Sequence, residues 1–239
     1  MTDTKITELY GKLDAIIRQA KPGEKLVAEP KLAAELGVSR ATLREAMRTF
    51  ETQGVILRRQ GIGTFVVRPE YTIETGLEEL ESIERVADRI GLKVSMASLD
   101  IQTLNPEPDE VKAFDLEDGE AIVSVSRVIE AEDRPVAYLV DRVPRKYLGV
   151  EDLGEDFSGS VLDFVLERGS PMLVSSKCDV GAVAADPVIA KAMQIQRNDP
   201  LLHFHSKLFD ANGQVVDVSD SYFLPGYFRF HINRRVGRS

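Results

Sequence analysis

The chain has 239 residues, of which 43% are hydrophobic and 29% are charged, and its net charge is −9. This composition excludes a disordered chain, and the length suits one large domain or two ordinary ones. No apolar run is long enough to span a membrane, and the first residues lack the pattern of a signal peptide. The single cysteine, Cys178, excludes an internal disulfide and fits a reducing cytoplasm.

The charge is distributed unevenly along the chain. Residues 1–69 carry 12 Lys or Arg against 8 Asp or Glu, whereas residues 70–239 carry 18 against 31. A basic module joined to an acidic one points to an anionic partner for the first module.

The first part of the chain reads as three helices. Apolar residues at helical spacing predict the first helix over 6–20. The second is predicted over 30–36, with Gly37 as its C-terminal cap. Ser39 is suited to cap the third helix, and Gly54 is expected to end it.

The third helix carries apolar side chains and arginines on different faces. Its buried stripe is predicted to consist of Leu43, Ala46, Met47 and Phe50. Arginines spaced four residues apart follow another face, at Arg40, Arg44 and Arg48. This arginine row is either ordinary solvated surface or is directed at something anionic.

Two short strands, 55–59 and 64–67, are predicted next. The glycines between them, Gly61 and Gly63, permit the positive φ angles of a tight hairpin. Helices, turn, helix and hairpin in this order predict a winged helix-turn-helix domain over residues 1–69. In that fold the second helix of the pair enters the major groove of DNA, with its first residues nearest the bases.

A linker is predicted over residues 70–78, and a second domain over 79–239. An acidic, helical stretch is expected over 73–90, before the chain changes to β structure. Strands are predicted at 94–104, 121–130, 136–143, 173–183, 201–209 and 215–223. Short helices are predicted at 107–114, 160–168 and 187–193. Together they indicate an α+β domain on a mostly antiparallel sheet.

The segment 25–66 resembles the winged-helix domain of GntR-type bacterial transcription regulators. The resemblance is carried by GVSR at 37–40, Thr42, REA at 44–46, Gly54 and GIGTF at 61–65. The remainder resembles the UTRA effector-binding domain of the HutC subfamily, which has a chorismate-lyase-like fold. That resemblance is carried by Arg127 in VSVSRVIEAEDRPVAY, by Pro144, by GSVL at 159–162 and by the terminal QVVDVSDSYFLPGYFRF.

The first resemblance implies a DNA-binding surface around the arginine row. A guanidinium fork can donate two hydrogen bonds to guanine or grip a phosphate. The residues predicted to contact DNA are Ser39, Arg40, Thr42, Arg44, Arg48, Arg59, Gln60, Gly61 and Gly63. Val27 and Pro30 replace a proline and an arginine of the family pattern, so the operator is expected to differ from that of relatives.

The second resemblance implies a small-molecule effector, an anionic metabolite held by Arg127. The residues predicted to bind it are Arg127, Leu139, Asp141, Ser160, Asp217 and Phe223. Ile129 stands where sugar-phosphate-binding members have a second arginine, and Leu139 stands where an acidic residue is expected. These departures weaken the case for a sugar phosphate.

The predicted function is an effector-responsive transcription regulator in the cytoplasm, a repressor that binds a pseudo-palindromic operator as a homodimer. Two alternatives stay open: an effector-independent DNA-binding dimer and a chorismate-lyase-like enzyme. No cofactor motif is present, and an enzyme is not expected. His203 and His205 share one side of a strand but have no third ligand at suitable spacing, so no metal site is predicted.

Overall fold

The computed structural model describes residues 3–21, 23–52, 55–59, 62–66, 73–154, 157 and 159–233. The chain divides into two compact units, Met1–Thr72 with Leu224–Phe228, and Ile73–Phe223 with Arg229–Ser239. No helix in the described ranges is long and apolar enough to cross a membrane.

The first unit is a winged helix-turn-helix. Its elements are α1 (Asp3–Gln19), α2 (Glu29–Leu36), α3 (Arg40–Thr52), β1 (Ile56–Arg59) and β2 (Gly63–Val66). The three helices and the hairpin share one apolar core, because each of them presents a stripe of large apolar side chains. That core includes Leu9, Leu13, Ile17, Leu26, Leu32, Ala33, Leu43, Ala46, Met47, Phe50, Ile56 and Val66.

The wing is wider than the predicted hairpin. Strands β1 and β2 pair antiparallel, and the segment before α2 lies along the other side of β2. Leu26 N–H donates to Thr64 O at 2.8 Å, and Val66 N–H donates to Glu24 O at 2.8 Å. The extra segment ties the start of α2 to the wing, so both are held in one rigid module.

The second unit is built on a six-stranded antiparallel sheet. Its strands are β4 (Val94–Leu104), β5 (Ile122–Ala131), β6 (Arg134–Pro144), β7 (Leu173–Ala184), β8 (Pro200–Asp210) and β9 (Val215–Phe223). Their order across the sheet is β4-β5-β6-β9-β8-β7. The mostly antiparallel α+β fold predicted from the sequence is therefore confirmed.

Helices pack against both faces of this sheet. They are α4 (Ile83–Arg89), α5 (Pro108–Phe114), α6 (Val161–Arg168) and α7 (Pro187–Ala192). On one face, Val161 and Val165 of α6 pack with Val123 and Val125 of β5; we call this the α6 face. On the other face, Phe114 of α5 packs with Ile122.

The expectation of helix over residues 73–90 is wrong for its first part. Ile73–Gly76 forms strand β3, which pairs with β10 (Phe228–His231) in a separate two-stranded sheet. Helix α4 starts only after Ser82, whose side chain accepts a hydrogen bond from Arg85 N–H at 3.1 Å. A capping serine marks a helix start, and the acidic residues before it lie outside the helix.

Candidate functional site

The turn between α2 and α3 is set by two residues at its ends. Gly37 closes α2 in the left-handed conformation, with φ of 67°, a region that glycine enters without steric cost. Ser39 caps α3, since its Oγ accepts from Thr42 N–H at 3.1 Å. Ser39 Oγ and Thr42 Oγ1 also lie within hydrogen-bond distance, at 2.8 Å. Both hydroxyls thus help to start α3.

Helix α3 buries one side and exposes the other. Leu43 and Met47 are almost completely buried in the core of the first unit, whereas Arg40 and Arg44 are exposed. Arg48 is only partly exposed, one turn further along. The apolar stripe therefore holds the helix so that its first two arginines point to solvent.

Glu29 holds Arg44 in place. Glu29 is the first residue of α2, and its Oε2 accepts from Arg44 Nε at 2.6 Å. Its Oε1 lies 3.4 Å from Arg58 Nε of β1. The side chain of Arg44 is still 55% exposed, so its outer nitrogens are accessible. Arg40 has no ion-pair partner within the described ranges.

Not all of the predicted wing residues can be placed. Gly63 has a φ of 138°, a backbone conformation that residues with a side chain rarely adopt, so the position suits glycine. Arg59 belongs to β1, but its side chain lies outside the description, as do Gln60 and Gly61 altogether.

The second unit contains a buried cluster of charged groups on the α6 face. Arg127 of β5 is 4% exposed and lies opposite Leu139 of β6. Its Nη2 donates to Asp141 Oδ2 at 2.9 Å, and its Nη1 donates to Glu84 Oε1 at 3.4 Å. One guanidinium thus bridges a strand carboxylate and a helix carboxylate.

Two atoms of this cluster are left without partners. Arg127 Nε and Asp217 Oδ1 are buried and have no hydrogen-bond partner among the residues described. Burial raises the pKa of Asp217 well above its ordinary value, and the nearby Asp141 raises it further. Burial likewise raises the pKa of Glu84, although Arg127 opposes the shift. Unpaired buried polar atoms cost stability and often mark where a ligand or water binds.

Ser160, which was predicted to bind the effector, instead caps a helix. Its Oγ accepts from Asp163 N–H at 3.0 Å and caps α6. Asp163 in turn binds the start of α4: its Oδ2 accepts from Ser82 Oγ at 2.6 Å, and its Oδ1 lies 2.7 Å from Arg85 Nε. Polar groups therefore connect the beginnings of α4 and α6.

The remaining predicted ligand residues are part of the core. Leu139 is 5% and Phe223 is 4% exposed. Phe223 packs in an aromatic cluster, with ring centroids 5.1 Å from Phe204 and 5.0 Å from Phe230. Ile129 is also almost fully buried, which agrees with the prediction that it forms an apolar wall of the effector pocket.

Sequence reasoning missed Glu29 and Glu84. Each is an acidic residue in the first turn of a helix, a common position because it complements the helix dipole. Nothing local shows that each faces an arginine from another element. For Glu84, the signal available was the need of Arg127 for a partner, since a buried arginine is normally paired. Arg44 is exposed, so no such signal pointed to Glu29.

The second unit has two other polar features. His203 Nε2 and His205 Nδ1 lie 2.9 and 3.0 Å from the same atom, Asp220 Oδ1. Asp220 Oδ2 accepts from Arg142 Nη1 at 3.0 Å. A cleft of about 530 Å³ is lined by Thr75, Gly76, Glu78, Glu79, Glu81, Arg89, His231 and Asn233, none of which was predicted to bind a ligand.

Comparisons with known proteins agree with both units. The family model for bacterial regulatory proteins, gntR family, matches residues 5–66, and the UTRA domain model matches residues 89–229. The histidine utilization repressor of Pseudomonas aeruginosa is 27% identical over 208 residues, which cover 86% of this chain and 80% of that protein. The HTH-type transcriptional repressor NagR of Bacillus subtilis is 25% identical over 227 residues, 92% of each chain.

A solved structure shares the fold over almost the whole length. The crystal structure of PhnF from Mycobacterium smegmatis matches with a TM-score of 0.65 and 17% identity, covering 96% of this chain and all of that one. The likeness concerns the architecture of both units.

Proposed function

Because this chain belongs to the UTRA-containing branch of the GntR family of bacterial regulatory proteins, we propose that it is a transcriptional repressor that binds an operator as a homodimer. The observation that carries this proposal is the orientation of α3, where Leu43 and Met47 are buried behind exposed Arg40 and Arg44. The family consists of transcription regulators and not of enzymes. Relatives that are named as repressors support repression rather than activation of transcription.

Arg44 is well suited to read a base. Its inner nitrogen, Nε, is bound by Glu29, and this leaves Nη1 and Nη2 to donate as a pair. The O6 and N7 acceptors of guanine accept such a pair in the major groove. Arg40, one turn earlier and exposed, is in position to bind a phosphate or a neighbouring base.

The charge distribution supports docking by the first module alone. The basic balance of residues 1–69 attracts DNA, while the acidic balance of 70–239 repels it. One such module makes few contacts, so useful affinity requires two half-sites and a dimer.

We propose the domain boundaries 1–69 for the DNA-binding module, 70–78 for the linker and 79–239 for the effector domain. We also propose that the protein is located in the cytoplasm, together with its DNA.

The experiment is selection of binding sites from a random duplex library with the purified full-length protein. We expect enrichment of a pseudo-palindrome with half-sites about one helical turn apart. The enriched site should also occur upstream of the protein's own gene or a neighbouring one. Recovery of sequences without two-fold symmetry would contradict the homodimer, and recovery of no preferred sequence would contradict the regulator.

For the effector we propose a site formed by Arg127 and Asp217 on the α6 face. Arg127 Nε lacks an acceptor and Asp217 Oδ1 lacks a donor, so a ligand that offers both would satisfy two buried atoms. Three carboxylates, Glu84, Asp141 and Asp217, lie around one guanidinium. In this site an anionic group on the effector would accept from Arg127 Nε, and a donor on the effector would bind Asp217 Oδ1.

A thermal-shift screen tests the effector site. Three matched sets of small metabolites are compared: monoanions and dianions, zwitterions that add an amino group, and cations. A ligand stabilises the folded state by mass action, so a true effector raises Tm in a concentration-dependent way. We expect hits that carry both an acceptor and a donor, and expect Arg127→Lys to abolish them. If the hits still raise the Tm of that variant, the effector binds at another site. If no compound raises Tm, the effector-independent dimer is favoured.

A further inference from the structure

Residues 224–239 differ in charge from the rest of the effector domain. They carry four arginines, Arg229, Arg234, Arg235 and Arg238, and no Asp or Glu. By contrast, residues 70–223 carry 14 Lys or Arg against 31 Asp or Glu. A short basic stretch attached to an acidic domain is typical of a segment that binds an anionic partner. We call residues 229–238 the basic segment.

The basic segment begins in strand β10, where one side chain is anchored and its neighbour points outward. Phe230 is partly buried, with its ring centroid 4.5 Å from that of Phe204 and 5.0 Å from that of Phe223. Successive residues of a strand point to opposite faces, and Arg229 is exposed. The packing of Phe230 therefore keeps Arg229 on the outer face of β10.

The effector domain does not neutralise Arg229. This arginine has no ion-pair partner within the described ranges. Two carboxylates of the cleft that Asn233 lines are already engaged. Arg89 Nη1 donates to both oxygens of Glu81, at 2.8 and 2.7 Å, and Asn233 N–H donates to Glu78. An exposed arginine without a partner keeps its charge and its donors for an acceptor outside the domain.

Backbone pairing attaches the basic segment to the residues that follow the linker. Strand β10 pairs with β3, and Leu77 N–H donates to His231 O at 3.0 Å. Only residues 67–72 separate β3 from β2, the last strand of the winged helix-turn-helix. Six residues of chain span at most roughly 20–25 Å. The arginines after Asn233 therefore start a short length of chain away from the DNA-binding module.

DNA is the anionic partner that the proposed function brings to this part of the protein. A duplex carries one negative charge per about 1.7 Å of its axis, so several phosphates lie within reach of a segment of this length. Guanidinium groups bind phosphate oxygens strongly, and phosphate contacts carry no sequence information of their own.

We propose that the basic segment binds the phosphate backbone of the DNA on which α3 docks. The inference rests on the proposed function and adds to it a second contact with DNA, made by the effector domain. Contacts of this kind raise the affinity for every duplex alike and make binding more dependent on salt.

The experiment measures binding of the full-length protein to a short scrambled duplex at several salt concentrations, by fluorescence anisotropy. The segment variant combines Arg234→Gln, Arg235→Gln and Arg238→Gln. Each phosphate contact contributes about 0.9 to the slope of log K against log salt, so the slope should fall in magnitude by roughly 2–3 per bound protomer. Affinity at low salt should fall roughly tenfold or more. Arg229→Gln alone should lower the slope by about 0.9.

The matched control combines Lys93→Gln, Lys112→Gln and Lys191→Gln. All three lysines are exposed residues of the effector domain, so the control removes the same charge at other positions. It should leave the salt slope nearly unchanged. Equal losses of slope in the two triple variants would mean that net charge, and not the basic segment, determines affinity, and this would overturn the proposal.

The operator provides a second readout. Because phosphate contacts do not read sequence, the segment variant should keep the ratio of operator to scrambled affinity. A fall in this ratio would indicate base contacts and would contradict the phosphate assignment. If the segment variant binds the scrambled duplex as tightly as the unmodified protein does, the proposal is wrong. A lower Tm of this variant without DNA would then indicate that the segment binds acidic groups of its own domain.

These outcomes can be told apart from a failure of the proposed function. An unmodified protein that binds no duplex at low salt would contradict the DNA-binding regulator. An unmodified protein that selects an operator, together with a segment variant of unchanged affinity and salt slope, would contradict only the role of the basic segment.

Discussion

Glu29 Oε2 accepts a hydrogen bond from Arg44 Nε at 2.6 Å, across the turn that joins α2 to α3. The carboxylate binds the inner nitrogen of the guanidinium, and its other oxygen lies 3.4 Å from Arg58 Nε. The Glu29 carboxylate, at the start of α2, therefore connects this helix to α3 and to strand β1 of the wing. A guanidinium that is positioned before binding loses less side-chain entropy when it reaches a base.

Removing the charge of Glu29 should reduce discrimination and increase general affinity for DNA. In Glu29→Gln, Arg44 loses its fixed orientation, and the surface loses one negative charge. We expect affinity for a scrambled duplex to rise roughly two- to fivefold, the scale of an exposed ion pair. The ratio of operator to scrambled affinity should fall. Fluorescence anisotropy at several salt concentrations measures both quantities.

The control is Glu35→Gln, on the same helix. Glu35 is exposed and lies 4.0 Å from Lys31, so the variant changes the charge equally without touching Arg44. It should leave the operator-to-scrambled ratio unchanged. An equal effect of both variants would mean that net charge, not the position of Arg44, determines discrimination.

Arg44→Ala should lose sequence-specific binding. A bidentate base contact is worth about 1–3 kcal/mol of discrimination, and the proposed dimer loses one in each half-site, so operator affinity should fall roughly 30-fold or more while scrambled DNA changes little. Arg44→Lys should not restore it, because an ammonium group lacks the planar fork. Arg18→Ala is the control, since Arg18 is an exposed arginine of α1 paired with Asp14 at 2.7 Å. Full operator affinity in Arg44→Ala would refute the recognition role.

The local elements could be predicted because each carries a repeating pattern. The apolar stripe of α3 has helical spacing, and β9 is bounded as predicted, at Val215–Phe223. Gly37 and Ser39 mark helix ends through backbone chemistry that depends only on neighbouring residues. These local patterns predict the observed elements correctly because tertiary packing favours the same local structure.

Pairings between distant segments could not be predicted in this way. Strand β3 has only four residues, and its partner β10 lies about 150 residues later in the chain. The sequence places Arg127 on a strand and Glu84 in an acidic stretch, but their contact depends on how α4 packs over the sheet. The carboxylates that pair with Arg44 and Arg127 could therefore be identified only from the folded structure.

Asp217 should make stability depend on pH. Burial, aided by Asp141, raises its pKa, so the folded protein binds this proton more tightly than the unfolded chain does. The resulting stabilisation is complete below the unfolded pKa, about 3.9, and is lost as pH rises through the folded pKa. Asp217→Asn cannot ionise and should raise Tm at pH 7 by a few degrees, with the difference shrinking toward pH 4.

Thermal denaturation from pH 4 to pH 8 checks this expectation. Asp118→Asn is the control, because Asp118 is an exposed aspartate of the same unit. The difference in Tm between Asp118→Asn and the unmodified protein should not increase between pH 4 and pH 8. A Tm for Asp217→Asn that falls below that of the unmodified protein at pH 7 would mean that the ionised carboxylate is stabilising there.

Phe223 should act as a core residue whether or not it also borders the effector. It is 4% exposed, and its ring lies 5.1 Å from Phe204 and 5.0 Å from Phe230. Phe223→Ala should lower the free energy of unfolding by about 3–5 kcal/mol, measured by urea denaturation. Val188→Ala, at a side chain that is 66% exposed, should change it by less than about 0.5 kcal/mol.

A double-mutant cycle separates packing from ligand contact at this position. Phe204→Leu and Phe223→Leu, alone and together, should show a coupling of about 0.5–1.5 kcal/mol in the free energy of unfolding, since the rings pack edge to face at 70°. If instead Phe223→Leu leaves stability unchanged and abolishes only the ligand-induced rise in Tm, Phe223 is a wall of the ligand site and not a support of the core. Because Phe223 belongs to β9, the strand that carries Asp217, loss of this packing should also loosen the proposed site.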